Sequence, residues 1–265
     1  MKNVIVTGMP RSGTSWLGQI INSAPNVLFR TEPLFSYRFK NQINIGSTCH
    51  EIDDFLSSLI ELDDEFILQR ENQKQGYYPT FKKDAADILA FKTTRHHELI
   101  EKYLNCVNDI QVIGVVRHPC GAINSWIKSY TEFGKKGCQK ENDWRTGACR
   151  KTGVGEYWGF DDWLSVTTNF VALSKKSANF HVVRYSDLVT NTVQCTQNLF
   201  NDIGMQLHPQ TAEFLAVCHS RHDKDPYSVY KSKAVLDEWK SELDPGIVET
   251  IIHETEVRGL SCFLA

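Results

Sequence analysis

Apolar residues fall into short continuous runs separated by stretches with helical spacing. Val4-Ile5-Val6 is the first run. After a polar break over residues 7–15, Trp16-Leu17-Gly18-Gln19-Ile20-Ile21 resumes with a helical period. Residues 26–29 and 87–92 read as two further short strands, and 180–185 as another. Residues 110–116 are apolar almost throughout, the pattern of a strand covered on both faces of a parallel sheet. Helical spacing predicts helices over 51–70 (Ile52, Phe55, Leu56, Leu59, Ile60, Phe66, Ile67), 97–107, 157–176, 192–203 and 209–218. One more follows residue 118 through Trp126 and Tyr130, and a last one starts near Pro245. Residues 38–50 and 219–233 are polar loops, and 76–79 is a turn.

Strands alternating with helices, without a repeat, predict an α/β fold: an open parallel β-sheet flanked by helices in three layers, α/β/α. The whole chain, 1–265, is expected to be one domain. Residues 132–155 break the pattern with glycines, basic residues and two cysteines, and are expected to be an insertion, either a lid or a mobile loop. In such sheets ligands bind at the carboxyl ends of the strands. The 7–15 break, Lys92, Arg117 and Tyr185 all fall at such ends.

Composition narrows the classes. A net charge of −3 argues against a general nucleic-acid binder. No run of 18 apolar residues predicts a membrane span, and no leader-like segment precedes the first strand. The eight cysteines lack C-x-x-C spacing and read as reduced thiols of a cytoplasmic protein, without a metal site. Cys138 and Cys149 share one polar segment and would pair if the chain were exported.

The first break carries the chemistry. Thr7-Gly8-Met9-Pro10-Arg11-Ser12-Gly13-Thr14-Ser15 links strand to helix, so loop amides and a helix N-terminus converge where an anion can sit. The Walker loop has this form, but Thr14 stands where its lysine belongs and the cation has moved to Arg11. The 110–116 strand ends in Arg117 rather than the aspartate that holds Mg²⁺ in many triphosphatases and kinases. Ser125, eight residues on, lies on the following helix, so Arg117 and Ser125 can clamp a second phosphate. Arg117 alone would be an ordinary strand-end cation; the pair predicts a ligand with two separated anionic groups.

Together these residues resemble the sulfotransferase superfamily that uses 3′-phosphoadenosine 5′-phosphosulfate (PAPS). Residues 10–16, Pro-Arg-Ser-Gly-Thr-Ser-Trp, are similar to its 5′-phosphosulfate loop, which implies donor binding by Arg11, Ser12, Gly13, Thr14, Ser15 and Trp16. Arg117-His118-Pro119 with Ser125 resembles its 3′-phosphate motif. Val183-Arg184-Tyr185-Ser186-Asp187-Leu188 resembles the turn where a tyrosine approaches adenine. Lys231 and Lys233 resemble the C-terminal loop that closes over the 3′-phosphate. Arg11 and Thr31-Glu32-Pro33-Leu34 are closer to the carbohydrate and tyrosylprotein branches than to the cytosolic phenol and steroid branch. That likeness implies catalytic roles for Arg11, Glu32 and Lys92.

Where the phenol and steroid enzymes place a histidine base, this chain has Thr94, which favours Glu32 as base. His96 and His97 read as exposed histidines of a helix start. Set against these roles, Glu32 and Lys92 can be structural charges, Trp16 and Tyr185 core aromatics, and the basic residues of 132–155 solvated. The expected activity is metal-free sulfuryl transfer to an acceptor hydroxyl on a sugar, small molecule, lipid or peptide, with a slight tilt to carbohydrate. The alternatives are a kinase-like phosphotransferase of the same loop class and a non-catalytic nucleotide-binding protein. Nothing in the sequence speaks to oligomeric state.

Overall fold

The structure is a computed structural model that describes residues 1–220, 222, 223, 225 and 227–265; the predicted 219–233 loop lies partly outside them. Five strands, β1 (Lys2–Gly8), β2 (Val27–Thr31), β3 (Ile88–Thr93), β4 (Ile110–Val116) and β5 (Phe180–Arg184), form one sheet. Their order is β2-β3-β1-β4-β5 and every pair is parallel, as the α/β reading expects. The helices are α1 (Thr14–Asn22), α2 (Cys49–Ser58), α3 (Arg70–Lys74), α4 (Ile100–Cys106), α5 (Pro119–Ile127) and α6 (Lys140–Thr146). Then come α7 (Phe160–Lys176), α8 (Tyr185–Thr190), α9 (Thr192–Asp202), α10 (Pro209–Val217), α11 (Trp239–Glu242) and α12 (Pro245–Val257).

The two-residue period of the strands divides the core. Val4, Val6, Ile88, Ala90, Ile113 and Val115 pack toward Leu17 and Ile20 of α1, Phe200 of α9 and Phe214 of α10. Ile5, Leu89, Phe91, Val112 and Val116 pack on the other face, toward Phe55 of α2, Tyr103 of α4, Trp126 of α5 and Phe170 of α7. Each large side chain so buried contributes about 1.5–3 kcal/mol, and Phe170→Ala would cost roughly 3–5 kcal/mol. Two helical layers thus clamp the sheet and fix the carboxyl ends of its strands. No helix among the described residues is long and apolar enough to cross a membrane.

Two expectations are corrected. The helix predicted over 51–70 stops at Ser58. The Thr48–Glu51 capping box starts it, but the carbonyls of Leu59 and Ile60 are taken by buried Arg30 (Nε to Leu59 O 2.7 Å, a terminal nitrogen to Ile60 O 2.8 Å). Phe66 and Ile67 then pass through a turn in which Asp64 accepts from the Ile67 N–H at 2.8 Å. Second, four of the eight cysteines are not reduced: Cys49 pairs with Cys106, tying α2 to α4, and Cys138 pairs with Cys149. Cysteine chemistry therefore gives no support to a cytoplasmic chain, because such bridges persist chiefly in oxidising compartments. Asp143 lies beside the second bridge, but its two sulfurs are bonded to each other rather than available as thiolates. Residues 132–155, expected as an insertion, hold α6 and two single 3₁₀ turns. Arg145 fastens them to Glu254 of α12 through two hydrogen bonds of 2.9 and 2.7 Å.

Candidate active site

β1 ends at Gly8, where a Cβ would stand 2.5 Å from the Val115 carbonyl oxygen of β4. The chain then turns through left-handed positions at Arg11 (φ 68°) and Gly13 (φ 91°) into α1. A side chain at Gly13 would collide with the Tyr185 ring at 2.4 Å, so that position is closed to other residues. Ser12 is buried with its hydroxyl unpartnered, Thr14 is buried and Ser15 half-buried at the start of α1. A curled loop with a free hydroxyl ahead of a helix N-terminus suits an anion.

The cations of this edge converge on the loop. Arg11 donates from Nε to Ser125 Oγ on α5 at 3.2 Å, with a terminal nitrogen 4.0 Å from Glu132. Arg117, leaving β4, donates to the Arg11 carbonyl (3.1 Å) and the Val235 carbonyl (2.8 Å), and lies 5.0 Å over the Tyr185 ring. Its own carbonyl accepts from Trp163 Nε1 at 3.0 Å, which holds the strand end in place. Arg11, Arg117 and Ser125 are thus brought together. Trp16 is buried edge-on to Tyr185, with ring centroids 6.1 Å apart. Lys231 donates to the Asp223 and Asp225 carbonyls and lies near enough that the Arg11 charge, after burial, lowers its pKa. Lys233 instead reaches the Thr190 carbonyl (3.2 Å), away from the loop.

One strand away, Glu32 follows β2 in a left-handed conformation (φ 47°), its N–H bonded to the Lys92 carbonyl at 2.7 Å. That twist turns the carboxylate over the end of β3. Oε1 accepts from Thr94 N (2.9 Å), Thr94 Oγ1 (2.6 Å) and lies 3.0 Å from Lys92 Nζ. Oε2 has one long bond, from Thr93 Oγ1 at 3.3 Å, and Arg95 stands 4.0 Å from it. Burial alone would raise the Glu32 pKa. The charges of Lys92 and Arg95, with hydrogen bonds from Thr94 and Lys92, outweigh burial and hold it down at about 2. Register sets this pair beside the loop strand: Lys92 lies opposite Val6, and Thr93 opposite Thr7.

The two histidines are not exposed, as the sequence had suggested; their relative exposures are 6% for His96 and 3% for His97. The turn after β3 runs inward beneath Gly155, whose backbone leaves no room over the His96 ring. His97 bonds through Nδ1 to Thr7 Oγ1 (3.1 Å) and leaves Nε2 buried without a partner. Burial pushes its pKa down to about 4 against the nearby charges of Glu98 and Glu32, so it is neutral. Sequence reasoning passed over Thr93, Thr94 and Arg95. Thr94 registered only as a missing histidine, although three hydrogen-bond donors in a row at a strand end were the available signal.

Fold and site define a phosphate-loop α/β transferase in which fixed cations stand where a metal aspartate would be. The sulfotransferase family profile matches residues 3–209, from β1 to the start of α10. The chain belongs to the sulfotransferase family, and its reaction class is sulfuryl transfer. A search of curated protein sequences finds no match. Solved structures share the fold at low identity. The sulfotransferase domain of the Synechococcus olefin synthase is 15% identical, with TM-score 0.56, over 98% of this chain and 96% of that one. Mouse sulfotransferase SULT7A1, complexed with PAP, is 15% identical, with TM-score 0.57, over 100% and 90%. A sulfotransferase from Alicyclobacillus acidocaldarius is 11% identical, with TM-score 0.53, over 100% and 96%.

Proposed function

We propose that this sulfotransferase takes its sulfuryl group from PAPS and delivers it to an acceptor hydroxyl, with Glu32 as general base. One observation carries the reading: a buried, ionised carboxylate with one nearly open oxygen stands beside an arginine-bearing anion loop. Loop amides, Ser12, Gly13, Thr14 and Ser15 hold the 5′-phosphate. Arg117 and Ser125 take the 3′-phosphate, and Tyr185 and Trp16 border the adenine. Lys231 lies within reach of the same end; Lys233 would first have to leave Thr190.

Oε1 of Glu32 is saturated by donors, so the proton goes to Oε2. A carboxylate with a pKa near 2 is a weak base for a resting alcohol. Lys92 relieves this when it turns to the transferring group: Glu32 loses a neighbouring cation and gains basicity as attack begins. Arg11 and Lys92 then stabilise charge building on the bridging and sulfuryl oxygens. A sulfuryl group carries less negative charge than a γ-phosphoryl, so fixed cations serve and no metal enters. The acceptor is a sugar, small molecule, lipid or peptide hydroxyl, with carbohydrate favoured by the Glu32-Pro33 step.

The deciding experiment incubates the protein with labelled PAPS and acceptor libraries in excess chelator and reads sulfated products by mass spectrometry. Thermal shifts with 3′-phosphoadenosine 5′-phosphate, adenosine 5′-phosphate and Mg-ATP run beside it. Product formation and stabilisation by the first nucleotide are expected. Stabilisation by Mg-ATP alone would point to the phosphotransferase alternative, and binding without turnover to the non-catalytic one.

A further inference from the structure

Arg95 lies three residues beyond Lys92, and its surroundings are unusual for an arginine this buried. The guanidinium sits 3.6 Å over the Phe35 ring. A terminal nitrogen is 4.0 Å from Glu32 Oε2, and Nε is 3.8 Å from Glu156 Oε1. Both carboxylates are within ion-pair reach, yet Nε is buried with no hydrogen-bond partner.

The two acids belong to different parts of the molecule. Glu32 crowns the sheet. Glu156 closes the 132–155 segment, where its other oxygen accepts from Thr152 N at 2.7 Å, and the adjacent Gly155 carbonyl accepts from His96 N at 2.8 Å. Phe35, the base of the stack, ends the single 3₁₀ turn that follows Glu32 and packs on Phe66. Arg95 therefore has its plane fixed by an aromatic ring on the Glu32 side and its charge shared with the segment.

We propose that Arg95 is a positioning residue for Glu32, fixing the open Oε2 by charge alone and linking the base to the 132–155 segment through Glu156. A hydrogen-bonded arginine would occupy the lone pair that has to take the acceptor proton. At 4.0 Å the charge acts and the oxygen stays available. Lys92 is drawn to the transferring group during the reaction; Arg95 is not needed there and remains behind to keep the carboxylate ionised.

The idea rests on Glu32 being the base, and the test separates the two claims. Facing Glu32 are Lys92, Arg95 and the neutral His97; facing Arg95 are Glu32 and Glu156. The measurements are the acidic limb of kcat/KM against pH, and a carbon-13 titration of the Glu32 carboxyl in the nucleotide-free protein. Removing one cation about 4 Å away raises a carboxylate pKa by roughly one unit or more. In Arg95→Gln both readouts should move up by at least about one pH unit. Arg95→Lys, which keeps the charge without the planar stack, should lie between, and Phe35→Leu should move the same way by less. If Arg95→Gln does not fold, Arg95→Lys and Phe35→Leu decide by the same carbon titration. An unmoved Glu32 titration in the folded variants overturns the role of Arg95 and leaves the base intact. An acidic limb and full rate surviving in Glu32→Gln would overturn the base itself.

Discussion

At the end of β4 Arg117 is met by neutral carbonyl oxygens; at the ends of β2 and β3 charged side chains meet one another. Arg117 rests on two backbone carbonyls and an aromatic ring, and among the described residues no carboxylate comes within ion-pairing distance of it. Arg11 holds a serine hydroxyl at hydrogen-bond distance and faces Glu132 at 4.0 Å. Glu32, by contrast, is enclosed by Lys92, Arg95 and two threonines. At the first edge Arg117 is thus balanced by carbonyl dipoles rather than by a charge. The second is electrostatically complete before any ligand arrives, so its geometry is set in advance and costly to disturb.

Breaking the complete edge should produce the largest effect. Glu32→Gln keeps shape but removes both the proposed base and the counter-charge of two buried cations. Turnover should fall by about 10²–10⁴. Stability should fall too, by roughly 3 kcal/mol, because the partners of a broken buried pair are left uncompensated. Affinity for 3′-phosphoadenosine 5′-phosphate should change little, since the proposed nucleotide site is on the other edge. Calorimetric binding beside single-turnover rates checks this; a variant that loses nucleotide affinity and keeps its rate would reverse the assignment of the two edges.

Each edge also shelters one neutral histidine. His97 bonds to Thr7 beside the base, and His118 caps α5 by accepting from Cys120 N at 3.2 Å, stacked on Trp239. Burial lowers both pKa values to about 4; for His118 the charges of Arg117 and Lys240 add to burial, while for His97 nearby acids oppose it. The folded value lies below the unfolded one, near 6.5. The stability tied to the neutral form is therefore complete above about pH 6.5 and is lost as pH falls toward 4. For His97 the loss over that window is roughly 2–3 kcal/mol. Urea unfolding at pH 7.5 and 4.5 should show wild type losing much more than His97→Gln. Equal losses in the two proteins would mean that His97 is already protonated in the fold.

Arg117→Ala tests the first edge. A charge-assisted contact contributes roughly 1.5–3 kcal/mol, so preference for 3′-phosphoadenosine 5′-phosphate over adenosine 5′-phosphate should drop by one to two orders of magnitude. Base-edge titrations should stay where they were. If mutant and wild type discriminate equally, the 3′-phosphate is held elsewhere, with Lys231 the next candidate.

The loop after β1 and the end of β4 were largely legible in the sequence because their signals are local. Gly8, Gly13 and Arg11 lie within one loop, and Ser125 follows Arg117 at a helical interval that returns it to the same side. Apolar runs likewise marked all five strands. The base edge was legible only in outline. Glu32 and Lys92 stood out by residue type, but their closure by Thr94 and Arg95 depends on a left-handed turn at Glu32 and a parallel register between β2 and β3. Neither is encoded in a spacing. The histidines went wrong for the same reason: Gly155 covers His96, and Tyr157 and Phe170 pack on His97, all far away in the chain. The helix over 51–70 was overestimated because Arg30, some thirty residues upstream, captures its last carbonyls.

The smallest expected difference separates the two disulfides, one behind each region. Cys49–Cys106 spans 57 residues and ties α2 to α4 in the layer beneath the base; Cys138–Cys149 spans 11 within the segment joined to the base through Glu156 and Arg95. In the chain-entropy account a cross-link stabilises by restricting the unfolded chain, with a term in 1.5RT times the logarithm of loop length. The longer loop should then be worth about 1.5 kcal/mol more than the shorter one. Paired serine substitutions, Cys49→Ser with Cys106→Ser and Cys138→Ser with Cys149→Ser, measured by urea unfolding, give the comparison directly. Thiol titration of the unfolded, unreduced protein comes first and should find four reactive groups, Cys120, Cys195, Cys218 and Cys262. Eight would show that the bridges do not form and return the cysteines to the reduced state. Four thiols with the shorter bridge the more stabilising would show that it acts in the folded state. The segment would then be a braced wall against Arg95, and reducing that bridge should disturb the Glu32 titration while leaving Arg117-dependent nucleotide discrimination unchanged.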